Sequence, residues 1–104
     1  MEDRIEILKQ FIIEDPNDPF NHYALGLEYL QRDEVKAADI FERLLQQHGD
    51  YIPVYYQLAK LYAGMGSIER AVQIFNEGIK AAEAAKDFKT LRELRAGLEE
   101  LEDL

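Results

Sequence analysis

Hydrophobic positions along the chain recur three and four residues apart from end to end, and no alternating run survives over five or more residues. The pattern therefore predicts helices and no strands. Ile5, Leu8 and Ile12, with Phe11 beside them, form a first apolar stripe. The run Asp15-Pro16-Asn17-Asp18-Pro19 breaks it: Pro16 biases Asp15 away from helix, Asp18 is a good N-cap, and Pro19 suits a first helical position. A second helix is expected from about Pro19 to Arg32, a third from Glu34 to Gln47, a fourth from Tyr51 to Ala63 and a fifth from Ile68 to Lys86. Gly49 is placed to end the third in the left-handed conformation, and Ser67 to cap the fifth. Asp87 is placed to cap a sixth, whose stripe is Leu91, Leu94, Leu98 and Leu101.

The pattern also repeats. Leu25-Gly26 with Tyr29 returns as Leu58-Ala59 with Tyr62 at a shift of 33, and Ala37 with Phe41 returns as Ala71 with Phe75 at a shift of 34. The first copy is one residue shorter in the turn between its helices. A leucine, a small residue and a tyrosine on one helix, then alanine and phenylalanine four apart on the next, resemble the tetratricopeptide repeat, W-x2-L-G-x2-Y, then A-x3-F, then P, at a period of about 34. The departures are His22 and Tyr55 in the tryptophan position, Asp33 in place of the turn glycine that Gly66 keeps, and no proline after either second helix; Pro16 sits where a preceding half-repeat would carry it.

The resemblance covers Pro19 to about Glu83 and implies an all-α fold, antiparallel helix-turn-helix repeats stacked as a short right-handed α-solenoid of about six helices. The expected organisation is one domain over 1–104: an N-terminal helix or half repeat in 1–18, repeat 1 in 19–50, repeat 2 in 51–86, and a C-terminal capping helix in 87–104. Gly26 and Ala59 are expected where two helices of a pair cross closely, facing Ala37 and Ala71, with Tyr29, Tyr62, Phe41 and Phe75 filling the spaces between successive helices. Apolar residues around most of the fourth helix, Val54 to Tyr62, suit a position in the middle of a stack.

For function the resemblance implies a non-catalytic protein–protein interaction module that takes a peptide or protein segment in the concave groove lined by the first helix of each pair. The second helix carries two apolar stripes. His22, Leu25, Gly26 and Tyr29 form one; Phe20, Tyr23, Leu27 and Leu30 form another, roughly 130° away at about 100° per residue. The second stripe either lies under the N-terminal helix or faces the groove. The equivalent face of the fourth helix offers Tyr56, Lys60 and Ala63, and the last helix offers Lys89 and Arg92. A groove of Phe20, Tyr23, Leu27, Leu30, Tyr56, Lys60, Lys89 and Arg92 would have an aromatic floor and a basic far wall, fit for a segment bearing acidic and apolar residues. The family's carboxylate clamp uses lysines and asparagines at positions that here read Tyr23, Ala24 and Leu27, so that specificity is not expected. The alternative is self-association, two copies stacking end to end through terminal leucines such as Leu101 and Leu104 as a weak homodimer.

Composition narrows the function classes. The 47% hydrophobic and 32% charged content suits a soluble globular chain, and the absence of cysteine removes disulfides and cysteine-based zinc sites. No run approaches the roughly 20 apolar residues of a membrane span, and the start MEDRIEILKQF lacks the basic, then apolar, plan of a secretory signal. A cytoplasmic and, by association with short stand-alone chains of this kind, bacterial protein is expected. A net charge of −9, from 21 acids and 12 bases, argues against nucleic acid and anionic bilayers as partners. Lys80, Lys86, Lys89, Arg92 and Arg95 gather in one region, either as part of the groove or as complements to the acidic ends and the last turn of the fifth helix. His22 and His48 lie 26 residues apart without carboxylates at ligand spacing, so each reads as a packing or cap residue. Ser67 and Thr90, the lone serine and threonine, stand in no nucleophile or phosphate-loop context, and Gly64-Met65-Gly66 reads as a turn. Glu99, Glu100, Glu102 and Asp103 read as a solvated face. No catalytic residue, cofactor or metal is expected.

Overall fold

Aspartates start four helices. Asp3, Asp18, Asp33 and Asp87 each accept a hydrogen bond from a backbone N–H two or three residues on, which satisfies donors that a first helical turn leaves open. The computed structural model describes residues 3–103, and six helices follow in order: α1 Arg4–Glu14, α2 Pro19–Tyr29, α3 Glu34–Gln47, α4 Pro53–Gly64, α5 Ile68–Ala85 and α6 Phe88–Glu102. No strand occurs among the described residues. The fold is an all-α helical repeat, as the periodicity predicts.

Two boundaries and two caps differ from expectation. α2 stops at Tyr29, not Arg32, because the Tyr29 carbonyl collects the N–H groups of both Arg32 and Asp33, at 2.9 and 2.7 Å, and closes the turn early. α4 starts at Pro53, whose fixed φ suits a first helical position, not at Tyr51. Gly49 is not left-handed; His48 ends α3 by leaving the helical region at φ −137°, ψ 67°. Ser67 occupies the cap position of α5 but its hydroxyl makes no capping bond, although its backbone, at φ −86°, ψ 66°, lies close to that of Asp87, which caps α6 from φ −88°, ψ 82°.

The turns themselves explain why one copy is a residue shorter. After α4, Gly66 takes φ 83°, its N–H donates to Ala63 and the Ser67 N–H donates to Tyr62, a two-bond closure around a left-handed residue. After α5 the same closure recurs with Lys86 at φ 57°: its N–H donates to Glu83 and that of Asp87 to Ala82. After α2 no residue is left-handed. There Asp33 both receives the short path from Tyr29 and caps α3, so the absent glycine is also an absent left-handed step.

Two compact units describe the packing, Met1–His48 and Gly49–Leu104. In the first, Ile5 and Leu8 of α1 bury against Ala24 and Leu25 of α2, with Ile12, Tyr29 and Ile40 at the margin. Arg4–Glu28 at 2.9 Å and Arg32–Asp3 at 2.8 Å tie α1 to α2 and to the turn after it. Asp3 thus serves Arg32 and the α1 cap at once, and the Arg32 guanidinium, followed by the Ile5 N–H, holds its carboxyl below the usual value. α3 closes the unit by laying the fully buried Phe41 ring on Gly26, where an added Cβ would fall within 2.8 and 2.9 Å of ring carbons. Gly26 is small for the phenylalanine of the next helix, a contact the sequence assigns instead to the alanines.

In the second unit α5 packs on α4 and α6, and α4 also reaches α6. Val54, Leu58, Ala59, Ala71, Ile74 and Leu94 have no accessible surface, and burial of each large member contributes roughly 2–3 kcal/mol. Gly78 admits Tyr55: a Cβ there would meet the Tyr55 Cβ at 2.7 Å.

The two tryptophan substitutes do one job. The Tyr55 hydroxyl donates to the Gly49 carbonyl at 2.6 Å, and His22 Nε2 donates to the Pro16 carbonyl at 2.8 Å. Both pairs span six residues and the acceptors are themselves 33 apart, so each aromatic pins the start of its hairpin to the segment before it. Burial raises the Tyr55 hydroxyl above its ordinary pKa, and the nearby Glu77 and Asp50 push the same way.

Candidate functional site

The expected groove residues lie on α2, α4 and α6, and each unit presents its own surface. On α2, Tyr23, Leu27 and Leu30 are half-buried and Phe20 is 57% exposed. α1 packs on Ala24 and Leu25, and Phe20 stays exposed. The Tyr23 ring stands 6.0 Å from that of Phe41, tilted by 40°. Tyr23 therefore extends the buried Phe41–Gly26 contact outward to the surface.

Tyr56 repeats this arrangement 33 residues later and opens onto a cavity. Its ring meets Phe75 edge-on at 6.3 Å and 72°, and Phe75 in turn lies on Gly97 of α6, where a Cβ would come within 2.6 Å of the ring. The Lys60 ammonium sits over the Tyr56 ring, 5.2 Å from its centroid. These residues, with Ala63, Glu100 and Leu101, line a cavity of about 420 Å³. Its floor is aromatic, its rim carries a cation from α4 and a carboxylate from α6, and Gly97 lets the Phe75 ring lie close against α6. A cation held over a ring keeps much of its interaction energy while its remaining donors face outward, a site for an oxygen ligand beside an apolar one.

Lys89 and Arg92 are exposed one to two turns nearer the start of α6, outside this cavity, and Glu100 stands where a basic wall is expected. Arg95 instead approaches Glu83 of α5 at 3.9 Å, and Lys86 ends α5 in the left-handed conformation. Gly97, Phe75, Glu100 and Leu101 escape the sequence reading as cavity residues. Phe75 is masked by its role in the repeat, and Gly97 carries a signal only when set beside Gly26, as the second glycine under a repeat phenylalanine. Leu101 is half-buried and lines the cavity; Leu104 lies outside the described residues.

Among the described residues no charged side chain is buried, no group of three His, Asp or Glu is arranged to hold a metal, and no helix is long and apolar enough to cross a membrane.

Comparison with known proteins bears on the fold and on its general use. No curated protein sequence matches the chain. A tetratricopeptide repeat domain protein from Salinibacter ruber, solved in solution, is 36% identical with a TM-score of 0.82, over 86% of this chain and 92% of that one. A protein from Bordetella parapertussis has a TM-score of 0.85 at 22% identity, covering 99% and 90% of the two chains, and MamA has 0.67 at 23%, covering 95% and 67%. At those identities the latter two speak for the fold alone. A family profile described as tetratricopeptide repeat matches residues 28–95, most of the chain and all of α3 to α5. Proteins of this family serve generally as non-catalytic binding modules for other proteins, and this chain belongs to the tetratricopeptide repeat family.

Proposed function

We propose that the chain binds a segment of another protein, with the α4–α6 cavity as its anchoring pocket. The observation that carries this reading is the column Lys60–Tyr56–Phe75–Gly97, an apolar floor in which the absent Cβ of Gly97 lets the Phe75 ring lie against α6, rimmed by opposite charges. An apolar side chain of the ligand fills the floor. A carboxylate beside it meets Lys60, and a base or amide one turn on meets Glu100. Interface energy concentrates in such central aromatic pockets, while rim charges set orientation and rate. Lys89 and Arg92 lie beyond the rim as contacts for further acids. In the other unit, the strip Phe20, Tyr23, Leu27 and Leu30 offers a second, shallower apolar contact.

The test is selection of binders from a library of displayed random peptides, followed by calorimetry on the winners. The expected consensus is an aromatic or aliphatic residue flanked by acid. Tyr56→Ala combined with Lys60→Glu should weaken those peptides by about 100-fold or more, the effect of removing a central anchor, with helicity unchanged by circular dichroism. Peptides that bind the double variant as tightly as the parent chain would refute the placement.

A further inference from the structure

A second crevice lies on the other side of α2. Lys9 of α1, Leu25 and Tyr29 of α2, and Lys36, Ile40 and Arg43 of α3 surround about 420 Å³, with Leu44 at the floor. We propose that this crevice is a docking site for an acidic amphipathic segment of a partner protein, one that presents apolar side chains to the half-buried Tyr29 and Ile40 and carboxylates to Lys9, Lys36 and Arg43. It uses none of the residues of the α4–α6 cavity or of the Phe20–Leu30 strip, so it stands or falls independently of the function proposed above.

Charge placement is the first argument. Residues 1–48 contain eleven acids and only five bases, a strongly negative stretch. Three of those five bases line this one crevice, together with a single acid, Asp39. The local field is therefore opposite in sign to that of its surroundings. Such an island attracts carboxylates, and the surrounding acids repel a ligand that misses it, which fixes register.

The positions of the cations are the second argument. Lys36 holds its ammonium 5.3 Å from the centre of the Tyr29 ring, so charge and aromatic face are offered together. Arg43 meets Asp39 through Nε at 3.2 Å in an exposed pair, and Lys9 reaches Glu6 only at 3.9 Å. Exposed pairs of this kind are worth little, so a ligand carboxylate joins or replaces them at small cost. The floor is the third argument. A bare inorganic anion gains nothing from Tyr29 and Ile40, whereas a segment that alternates acids with leucines gains from both layers.

The probe is a dye-labelled peptide of two Leu-Glu-Glu-Leu-Leu-Glu-Asp heptads, titrated with the intact chain and read by fluorescence anisotropy. Its counterpart with every acid replaced by its amide serves as control. With every protein carrying Tyr56→Ala and Lys60→Glu, so that the α4–α6 cavity does not contribute, the expected result is saturable binding that weakens with added salt and is at least about tenfold weaker for the amide peptide and when Lys36→Glu and Arg43→Glu are added. Both lysine and arginine are exposed, and helicity by circular dichroism confirms that the variant folds; the milder Lys36→Gln, Arg43→Gln pair should fall between. Absence of saturable binding, equal binding of the amide peptide, or equal binding by the charge-reversed variant each overturns the proposal. So does a concentration-dependent mass in light scattering that the charge reversal abolishes, because the crevice would then belong to a second copy of the chain.

Discussion

Two glycines in helices here are small for opposite reasons, and a methyl group tells them apart. Gly97 faces the Phe75 ring, which is 2% exposed and hemmed by α4, so an added Cβ at 2.6 Å forces ring or helix to move. Gly64, the last residue of α4, has no positive φ, and the space its methyl would enter is open to 4 Å. Alanine is worth about 1 kcal/mol over glycine in a helix, while overpacking a core costs about 1–3 kcal/mol. Gly64→Ala should therefore stabilise the chain by up to about 1 kcal/mol, whereas Gly97→Ala should destabilise it by about 1–2 kcal/mol net. Urea denaturation followed by circular dichroism checks both. A stabilising Gly97→Ala would mean that Phe75 has room to retreat, and the cavity of the proposed binding site would then be adaptable, not fixed.

At the scale of the element, two turns built alike carry different residues, and each lacks what the other has. The turn after α4 places glycine at the left-handed position and serine at the following cap; the turn after α5 places Lys86 and Asp87 there. Only Asp87 caps, accepting from Thr90 N–H at 3.2 Å, and its hydrogen bonds with Thr90 hold its carboxyl below the usual value. Only Gly66 is free of the Cβ penalty, about 1–2 kcal/mol, that a left-handed residue bears. Combining the better half of each turn follows directly. Ser67→Asp should gain a cap worth about 0.5–1 kcal/mol, since a carboxylate reaches one atom farther than a hydroxyl and also favours a helix start. Lys86→Gly should gain about 0.5–1 kcal/mol after the entropy of the freer unfolded chain is set against it. Thermal melts should show both as rises of a few degrees, additive because the substitutions lie in separate turns. A fall in either case would place the turn's stability in contacts of the replaced side chain instead.

At the scale of the molecule, the repeat was the legible part. Its signal lies in residue types that only one geometry uses, Leu-small-Tyr and Ala-x3-Phe, and the helices followed within two or three residues. The site was legible only by half. Tyr56 and Lys60 share a cavity because they sit one turn apart on one helix, which spacing alone reveals. Which residues of α6 oppose them depends on the rotation of that helix against α5, and the stripe Leu91–Leu101 does not fix it finely enough to choose Glu100 over Arg92. Charge was legible in sum and misleading in detail, because bases scattered along the sequence at 9, 36 and 43 converge in space. The sum still has a consequence. With 21 acids against 12 bases the folded chain concentrates a charge of −9 in a small volume, and self-repulsion opposes compactness. The ion pairs that would answer it, Arg4–Glu28, Lys9–Glu6, Arg32–Asp3, Arg43–Asp39 and Arg95–Glu83, have mostly exposed partners and contribute little each. Salt screens both, but repulsion acts across the whole surface while the pairs act locally and weakly. Raising sodium chloride from about 0.01 to 0.5 M at neutral pH shrinks the screening length from roughly 30 Å to under 10 Å and should raise the melting temperature. A fall on adding salt would show that the pairs fastening α1 outweigh the net charge, and Arg32→Gln would then remove most of the salt dependence.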